Sequence, residues 1–396
     1  MIGTTAFPAE GVLSVLPHDD LAHAWQARRH PPALLHADSA AAGRTSRAVQ
    51  TRIAEHLAEE SIRGGYVAEA SVADELALLR ARLGSLLGGF TASDVTFTES
   101  SSNAIAQLIA AFPRLTPGSE VWATRSEWGP NVAAFGDYGL RINWLDTDAS
   151  GVLDLDALEA KLQLGRPAAV HLVAMTSHRA IVQPLSEAAS LCDRYEVPLI
   201  VDAAQALGQI DIEPGAAAIY GTGRKWMCGP RGVGYLAVRE PWQSSLRPVA
   251  PALSKENWPG DDRPISRLGS REAFIAGRVG LATAVDEYLE LGPERIRERL
   301  QAIGSALRNA LSDVAAWELS DAGNAPGAIV ALKPRQTGTD VPGAAATLLR
   351  RGVLATACPW HRAPADMHGG YILRFSPHVE TTTEDIEAIA DFVREL

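Results

Sequence analysis

Asp202 and Lys225 are the first candidates for catalysis in this sequence. Asp202 ends the apolar run 197–201, and Lys225 follows 23 residues later within the glycine-rich loop 221–234. A carboxylate at this position can keep a pyridine nitrogen protonated, while a lysine amine can hold an aldehyde as a Schiff base and later move a proton. The pair therefore predicts a pyridoxal 5′-phosphate site with Lys225 as the catalytic residue.

Lysine is rare in this chain, which makes its presence in the loop informative. Four of the 36 Lys and Arg residues are lysines. Arginine cannot replace a Schiff-base lysine, because a guanidinium with a pKa above about 12 is never a free amine. An isolated loop lysine is usually a solvated surface residue. With Asp202 and Gln205 in the same sequence, the catalytic interpretation of Lys225 is favoured.

Three consecutive serines follow the predicted strand 95–98, and a helical pattern begins near Ala104. The N-terminus of a helix offers free backbone N–H groups and a favourable dipole to a phosphate. Serine is also a preferred N-cap residue, so helix capping is the alternative. Together with two residues that precede Lys225, the serines predict a phosphate-binding set. Its members are Ser101, Ser102, Thr222 and Arg224.

Short apolar runs alternate with helical patterns between about residues 90 and 240. The runs predict strands at 95–98, 120–124, 141–145, 169–175, 198–202, 216–220 and 232–238, and the patterns predict helices at 103–112, 154–164 and 185–195. This alternation indicates an α/β fold with a mostly parallel sheet. Ligands bind such sheets outside the carboxyl ends of the strands, where Asp202 and the serines lie.

Length predicts more than one domain, since 396 residues can bury a large core and a sizeable second lobe. A weakly periodic stretch is rich in Pro, Gly and Trp. It is followed by long helical patterns at 272–291 and 294–314 and by a last one at 383–396. The predicted division is an N-terminal segment 1–34, a large cofactor-binding domain 35–250, a linker or flap 251–271 and a smaller α/β domain 272–396.

Charge and cysteine content argue against several classes of protein. A net charge of −11 disfavours a nucleic-acid partner. No apolar run approaches the roughly 18 residues of a membrane span, and the start lacks the basic residues of a secretory signal. The three cysteines, Cys192, Cys228 and Cys358, have no zinc spacing, so no metal is expected and a reducing cytoplasm is predicted.

These residues resemble the fold-type I pyridoxal-phosphate enzymes of the class V aminotransferase group, which includes cysteine desulfurases and isopenicillin-N-epimerase-like proteins. The resemblance covers about residues 35–374 and is most specific in 201–205 and 224–232. It implies that Asp202 pairs with the pyridine nitrogen and that Gln205 hydrogen-bonds the 3-oxygen of the ring.

The resemblance also implies contacts with an amino-acid substrate and with a second subunit. Arg374 matches the arginine that binds the substrate α-carboxylate, and Ala40 lies in a small-residue segment that lines that site. Tyr66, which follows two glycines, is a further candidate for the substrate site. Residues 269–271 match a motif that reaches the phosphate of the neighbouring subunit, which implies a homodimer with Ser270 at the partner's cofactor.

Three departures from the family pattern narrow the expected reaction. Trp128 stands at the position of a stacking histidine, where an indole stacks but cannot relay a proton. Arg224 replaces the histidine before the lysine, and His178 falls where the family contacts the substrate carboxylate. The set is most similar to the carbon–sulfur lyases of ergothioneine biosynthesis. That similarity implies β-elimination from hercynylcysteine sulfoxide to a sulfenic product, pyruvate and ammonia.

Cysteine desulfurase is the main alternative, because Cys358 stands 16 residues before Arg374. A desulfurase needs a loop cysteine near the substrate sulfur, but the residues at 359–362 differ from the family's nucleophile setting. An aminotransferase would form a new amino acid instead of pyruvate and ammonia. A non-catalytic descendant of the fold is disfavoured by the retention of Lys225 and Asp202.

Overall fold

The computed structural model describes residues 16–247, 249, 264–269, 272–320, 325–366 and 370–396. Its helices are α1 (Asp19–Ala27), α2 (Arg47–Arg63), α3 (Gly65–Ser71), α4 (Ala73–Leu86), α5 (Ser101–Ala111), α6 (Gly129–Asp137), α7 (Leu155–Leu164), α8 (Leu185–Arg194), α9 (Ile275–Leu291), α10 (Pro293–Leu311), α11 (Val341–Arg350) and α12 (Thr383–Arg394). Its strands are β1 (Leu35–His36), β2 (Val95–Thr98), β3 (Glu120–Ala123), β4 (Arg141–Trp144), β5 (Ala169–Val173), β6 (Leu199–Asp202), β7 (Ala218–Thr222), β8 (Gly234–Val238), β9 (Trp317–Leu319), β10 (Val330–Pro334), β11 (Val353–Leu354), β12 (Thr356–Pro359) and β13 (Tyr371–Phe375). Short 3₁₀-helices cover Ala92–Asp94, Gln243–Ser245, Pro264–Leu268 and Trp360–Arg362.

A seven-stranded sheet in the order β2-β8-β7-β6-β5-β3-β4 forms the centre of the molecule. β8 is antiparallel to both of its neighbours, and the pairs from β7 through β4 are parallel. Strands β2 and β5 to β8 are buried along their whole length. Such burial on both faces requires near-continuous apolar runs, which is the pattern in the sequence. The predicted mostly parallel α/β sheet is therefore confirmed.

Two helices begin at residues that are well suited to helix N-termini. Ser100 is the N-cap of α5, and its hydroxyl accepts a hydrogen bond from Asn103 N at 3.0 Å. Helix α6 begins with Gly129 and Pro130, and proline is well tolerated at the first turn because it has no N–H to lose. A side chain at 129 would come within 1.9 Å of His361 O, so glycine lets α6 pack against the turn 360–362.

A smaller antiparallel sheet, β12-β13-β10-β9, lies in the C-terminal part of the chain. The N-terminal segment joins this part through the parallel pair β1–β11 and through Arg299, which bonds Asp19 and the Pro17 carbonyl. Helix α9 packs against α2 and α4, although it lies beyond the predicted linker. The division at residue 271 therefore stays a prediction, and most of the predicted linker lies outside the described residues.

Among the described residues, no helix combines the length and apolar character needed to cross a membrane. The same ranges contain no cluster of His, Cys, Asp and Glu suited to a metal ion. Cys192 is buried in α8, and burial raises the pKa of its thiol to about 12. All three cysteines are unpaired thiols. A reducing cytoplasm stays a prediction.

Candidate active site

A cavity of about 250 Å³ lies where the parallel strands end. The segments that follow the carboxyl ends of β2, β3, β5, β6 and β7 all contribute to its wall, as expected for a sheet of this type. Of the predicted site residues, those that line it are Ala40, Ser101, Ser102, Trp128, His178, Asp202, Gln205, Thr222, Arg224 and Lys225.

Lys225 is held in the cavity wall by close backbone contacts. Gly43 N donates a hydrogen bond to Arg224 O at 2.8 Å, and Cys228 N donates to Lys225 O at 3.0 Å. A Cβ at residue 43 would lie 2.2 Å from Lys225 O, so only glycine permits this approach. The small-residue segment near residue 40 is therefore needed to position the lysine loop as well as to line the cavity.

The amine of Lys225 has the properties of a nucleophile and base. Burial lowers its pKa from the usual value to about 7. The carboxylate of Asp202 opposes this shift, while the cationic groups of Arg224, Arg374 and Arg362 add to it. A lysine with a pKa near 7 is about half neutral at pH 7 and largely neutral above it, and the neutral amine is the reactive form.

The depressed pKa leads to a testable pH dependence. Below about pH 7 the Lys225 amine is charged, and above it the amine is neutral. We expect the rate at which cofactor-free protein captures pyridoxal 5′-phosphate to rise with pH and to level off just above 7, as measured by stopped-flow absorbance. Lys225→Ala is the control and should show no covalent capture. A midpoint near 10, the value of an ordinary lysine, would contradict the proposed environment.

Asp202 ends β6, and hydrogen bonds fix its carboxylate. Oδ1 accepts from Ala204 N at 2.9 Å, and Oδ2 accepts from Asn131 Nδ2 at 3.1 Å. Burial raises the pKa of Asp202, the Lys225 amine and these two N–H donors lower it, and the Glu127 carboxylate raises it further. The result is a buried, oriented and basic carboxylate, which suits a protonated ring nitrogen.

The predicted phosphate-binding set lies around the N-terminus of α5 and the end of β7. Ser100 makes the N-cap hydrogen bond, so Ser101 and Ser102 are not needed for capping. The Ser101 hydroxyl is buried and has no partner among the described residues. Arg224 forms no ion pair within the same ranges, and burial lowers the pKa of its guanidinium. An unpartnered hydroxyl, free N–H groups at a helix N-terminus and an unpaired cation fit a phosphate.

Gln205 and Trp128 are placed as the sequence predicted, on the cavity wall. The amide of Gln205 is fixed at both ends: Nε2 donates to Ala40 O at 3.0 Å, and Oε1 accepts from Trp226 Nε1 at 2.9 Å. Its second N–H remains available to a ring oxygen. Trp128 is half-buried at the start of α6, with its backbone N–H bonded to Glu127.

Arg374 does not line the cavity but lies directly behind it. Its NH1 donates to the carbonyl of Ser177, a wall residue, at 3.0 Å, and its NH2 pairs with Asp38 at 2.8 Å. The Nε atom is buried without a partner in the described residues. Arg374 is thus oriented by a carboxylate of the chain itself. Its contact with a substrate carboxylate stays a prediction.

His178 links the cavity to the C-terminal part of the chain. Its Nε2 lies 2.6 Å from Asp366, which also receives two hydrogen bonds from Arg179 at 3.1 Å. Burial alone would raise the pKa of Asp366, but the contacts with His178 and Arg179 lower it to about 2. Burial lowers the pKa of His178, and Asp366 opposes that shift. The three side chains anchor the segment that carries Arg362.

Two further residues singled out in the sequence, Tyr66 and Cys358, do not line this cavity. Tyr66 is exposed on α3, with 67% of its surface accessible. Ser270 lies outside the described residues. Cys358 is fully buried in β12, packed with Ala331 and Ile372.

The structure also adds wall residues that motif analysis missed. Arg231 and Arg362 line the cavity and form no ion pair within the described residues. The sequence shows Arg231 in the lysine loop, six residues after Lys225, but it does not show that this residue faces the cavity. Arg362 had no sequence signal, because its place depends on the packing of its turn against Gly129.

Comparisons with known proteins show the family to which the chain belongs. The family described as Aminotransferase class-V matches residues 35–389. A probable hercynylcysteine sulfoxide lyase of Mycobacterium tuberculosis is 38% identical over 374 residues, which are 94% of this chain and 93% of that protein. The isopenicillin N epimerase of Amycolatopsis lactamdurans is 26% identical over 72% of this chain and 75% of its own length.

Solved structures show the same fold. A cysteine desulfurase from Thermococcus onnurineus superposes with a TM-score of 0.80 at 18% identity, covering 91% of this chain and 94% of that chain. The fold and the site define a fold-type I pyridoxal-phosphate enzyme. The chain belongs to the class V aminotransferase family, and its cofactor is pyridoxal 5′-phosphate.

Proposed function

We propose that this protein is a carbon–sulfur lyase that cleaves the Cβ–S bond of hercynylcysteine sulfoxide. The observation that carries the proposal is its 38% identity, over nearly the whole of both chains, to a probable lyase of that name. The position of Cys358, buried within a strand, supports a lyase over a desulfurase. The deciding experiment is product analysis with hercynylcysteine sulfoxide, simple cysteine sulfoxides and cysteine as separate substrates.

Each of these cavity residues has a separate role in an elimination. When bound, pyridoxal 5′-phosphate supplies a ring that withdraws the electron pair released at Cα. Asp202 holds the charge on the ring nitrogen, and Gln205 and Trp128 hold the ring in place. Lys225 takes the Cα proton, because about half of its amine is already neutral at pH 7. Proximity of this amine to the substrate converts proton abstraction into an intramolecular step.

The proposed reaction balances without an oxidant. The Cα–H bond breaks and its proton passes to Lys225. The Cβ–S bond then breaks, and its electron pair leaves with sulfur as a sulfenate, which becomes a sulfenic acid on protonation. Water converts the three-carbon remainder into pyruvate and ammonium. Reduction of the sulfenic acid to the thiol ergothioneine requires two electrons and two protons, which an external thiol would supply.

Cationic groups at the cavity suit a substrate with two carboxylates. Arg374 lies behind the wall with an unpartnered Nε, and Arg362 lines the cavity without an ion partner in the described ranges. We infer that Arg374 holds the α-carboxylate of the cysteine moiety. Arg362 supplies a second positive charge on the side of the C-terminal segment.

Cys358 separates the lyase from a desulfurase in a direct test. A desulfurase transfers sulfur to a cysteine thiolate, whereas a lyase expels its sulfur product directly. We expect Cys358→Ser to retain more than about half of the activity on the sulfoxide and to release pyruvate, measured with lactate dehydrogenase. A small loss is expected because the hydroxyl is buried in an apolar contact.

Cys192→Ser is the matched control for that experiment, because Cys192 is also a buried thiol and lies in α8, away from the cavity. Similar small losses in both variants would agree with a structural role for Cys358. Alanine as the product, with a persulfide on Cys358, would establish the desulfurase instead.

A homodimer is part of the proposal. Exposed apolar side chains on α2 and α3 include Ile62 at 79%, Tyr66 at 67% and Val67 at 49% exposure. Exposed apolar side chains close together in the sequence suit a subunit contact. In such a dimer Tyr66 would be covered by the partner subunit. Light scattering of the purified protein tests this, and a monomer at micromolar concentration would contradict it.

A further inference from the structure

A chain of buried polar side chains extends from Asp202 away from the cavity. Asn131 Nδ2 donates to Asp202 Oδ2 at 3.1 Å and to Glu127 Oε1 at 2.8 Å. The other oxygen of Glu127 lies 2.7 Å from His171 Nδ1, and His171 Nε2 lies 2.9 Å from the hydroxyl of Tyr220. None of the five is more than 3% exposed.

Four separate elements bring these side chains together. Asn131 lies in the first turn of α6, and Glu127 lies two residues before that helix. His171 lies in the middle of β5, and Tyr220 lies on β7 in register with Asp202 on β6. Apolar residues surround them, including Phe135, whose ring meets the His171 ring edge-on at 5.2 Å. A carboxylate and an imidazole are costly in such surroundings unless their polar atoms are paired. Of the five side chains, Asn131 has one atom, Oδ1, without a hydrogen-bond partner among the described residues.

The hydrogen-bond pattern assigns the protons along the chain. Burial, together with the carboxylates of Asp202 and Glu127, raises the pKa of Tyr220 well above its usual value, so the phenol keeps its proton. A protonated phenol can donate to His171 Nε2, and in that tautomer the Nδ1–H of His171 donates to Glu127.

Asn131 is oriented by this arrangement. Both N–H bonds of its amide point at carboxylate oxygens, one on Asp202 and one on Glu127. The flipped amide would place its oxygen against two carboxylates, so Glu127 excludes that orientation. Glu127 also adds to the basicity of Asp202 through its charge. None of Asn131, Glu127 and His171 lines the cavity.

We propose that Glu127 and His171 are positioning residues for the cofactor's ring nitrogen, acting through Asn131 on the Asp202 carboxylate. Glu127 fixes the amide that orients Asp202, and His171, held by Tyr220, fixes Glu127. The proposal rests on the pairing of Asp202 with the ring nitrogen. It does not depend on which sulfur compound is the substrate.

The test compares two cofactors that differ only at the ring nitrogen. Full-length protein stripped of cofactor is titrated with pyridoxal 5′-phosphate and with its 1-deaza analogue, in which carbon replaces the ring nitrogen. Glu127→Gln should weaken binding of the natural cofactor about tenfold, the order seen when outer partners of a ligating group are removed. Binding of the deaza analogue should change by less than about twofold. His171→Gln should also weaken the binding of the natural cofactor more than that of the deaza analogue.

Two further variants provide a milder substitution and a control. Tyr220→Phe removes only a hydroxyl and should fold even if Glu127→Gln does not, and a smaller selective loss is expected from it. Glu287→Gln removes a buried carboxylate paired with Arg29 outside the cavity, and it should leave both affinities unchanged.

If Glu127→Gln and Tyr220→Phe weaken the binding of both cofactors equally, the hydrogen-bonded side chains only pack the sheet. If binding of neither cofactor is weakened, these side chains are dispensable. Either result overturns the inference. Failure of the wild-type protein to capture the natural cofactor would instead overturn the proposed function.

Discussion

Lys225→Ala is expected to abolish turnover, with a loss of about 10⁶-fold in kcat, the order seen when a residue that acts as nucleophile and base is removed. The amine both holds the cofactor and takes the Cα proton, and its pKa of about 7 provides the neutral form for both roles. Lys225→Arg should rescue nothing, because a guanidinium is never a free amine. Pyruvate release under saturating substrate measures the loss.

Borohydride reduction of the wild-type protein provides the complementary measurement. A reduced pyridoxyl group should appear on the peptide that contains Lys225, and the visible absorption of the protein should disappear. Lys333→Ala is the matched control, because Lys333 is an exposed lysine paired with Glu318. It should leave turnover and labelling intact. Labelling of Lys255 in place of Lys225 would refute the assignment.

The strands that carry the site were predictable because buried strands leave short runs of apolar, aromatic and β-branched residues in the sequence. Strand 95–98 has the predicted bounds, and its four residues are all buried. The predicted strand 169–175 ends early, at Val173, because the chain leaves the sheet to form the cavity wall. There Ala174 N bonds Asp202 O, and Thr176 N bonds Ile181 O. Sequence periodicity cannot distinguish such a turn from a longer strand.

Helix α6 was not predicted, since Gly129 and Pro130 at its start also signal a turn. Proline at a first helical turn lacks only an N–H that would be unpaired, so the same residues permit a helix when it can pack against a partner. That partner is the turn at His361, more than 200 residues away. Tertiary packing of this kind leaves no local signal.

The location of the candidate site could be predicted from the sequence, but the pairings of its side chains could not. Asp202, Lys225 and the serines at α5 line one cavity, as expected from their positions at strand ends and a helix start. Their catalytic roles stay predictions. The pairing of Arg374 with Asp38 could not, since it joins residues 336 positions apart. The same holds for Glu127 and His171, whose hydrogen bond depends on the order of strands in the sheet.

Asp202→Asn is expected to lower kcat by about 10²–10³-fold, because a positioned charge of this kind is worth about 3–4 kcal/mol in a transition state. An amide has one acceptor oxygen, whereas the carboxylate serves Ala204 N with one oxygen and Asn131 with the other. One of these buried N–H groups must then face an NH₂ group. The variant also loses the negative charge that keeps the ring nitrogen protonated.

Cofactor should still bind to Asp202→Asn, because the phosphate-binding set around Ser101 and Arg224 is untouched. Measurement of bound cofactor together with kcat for pyruvate release therefore separates the two roles of the residue. Asp193→Asn, an exposed change on α8, is the control and should behave as wild type. Retention of near-normal turnover by Asp202→Asn would show that this carboxylate only stabilises the fold. A large fall in kcat with the cofactor still bound would show that Asp202 acts through the negative charge that it places next to the ring.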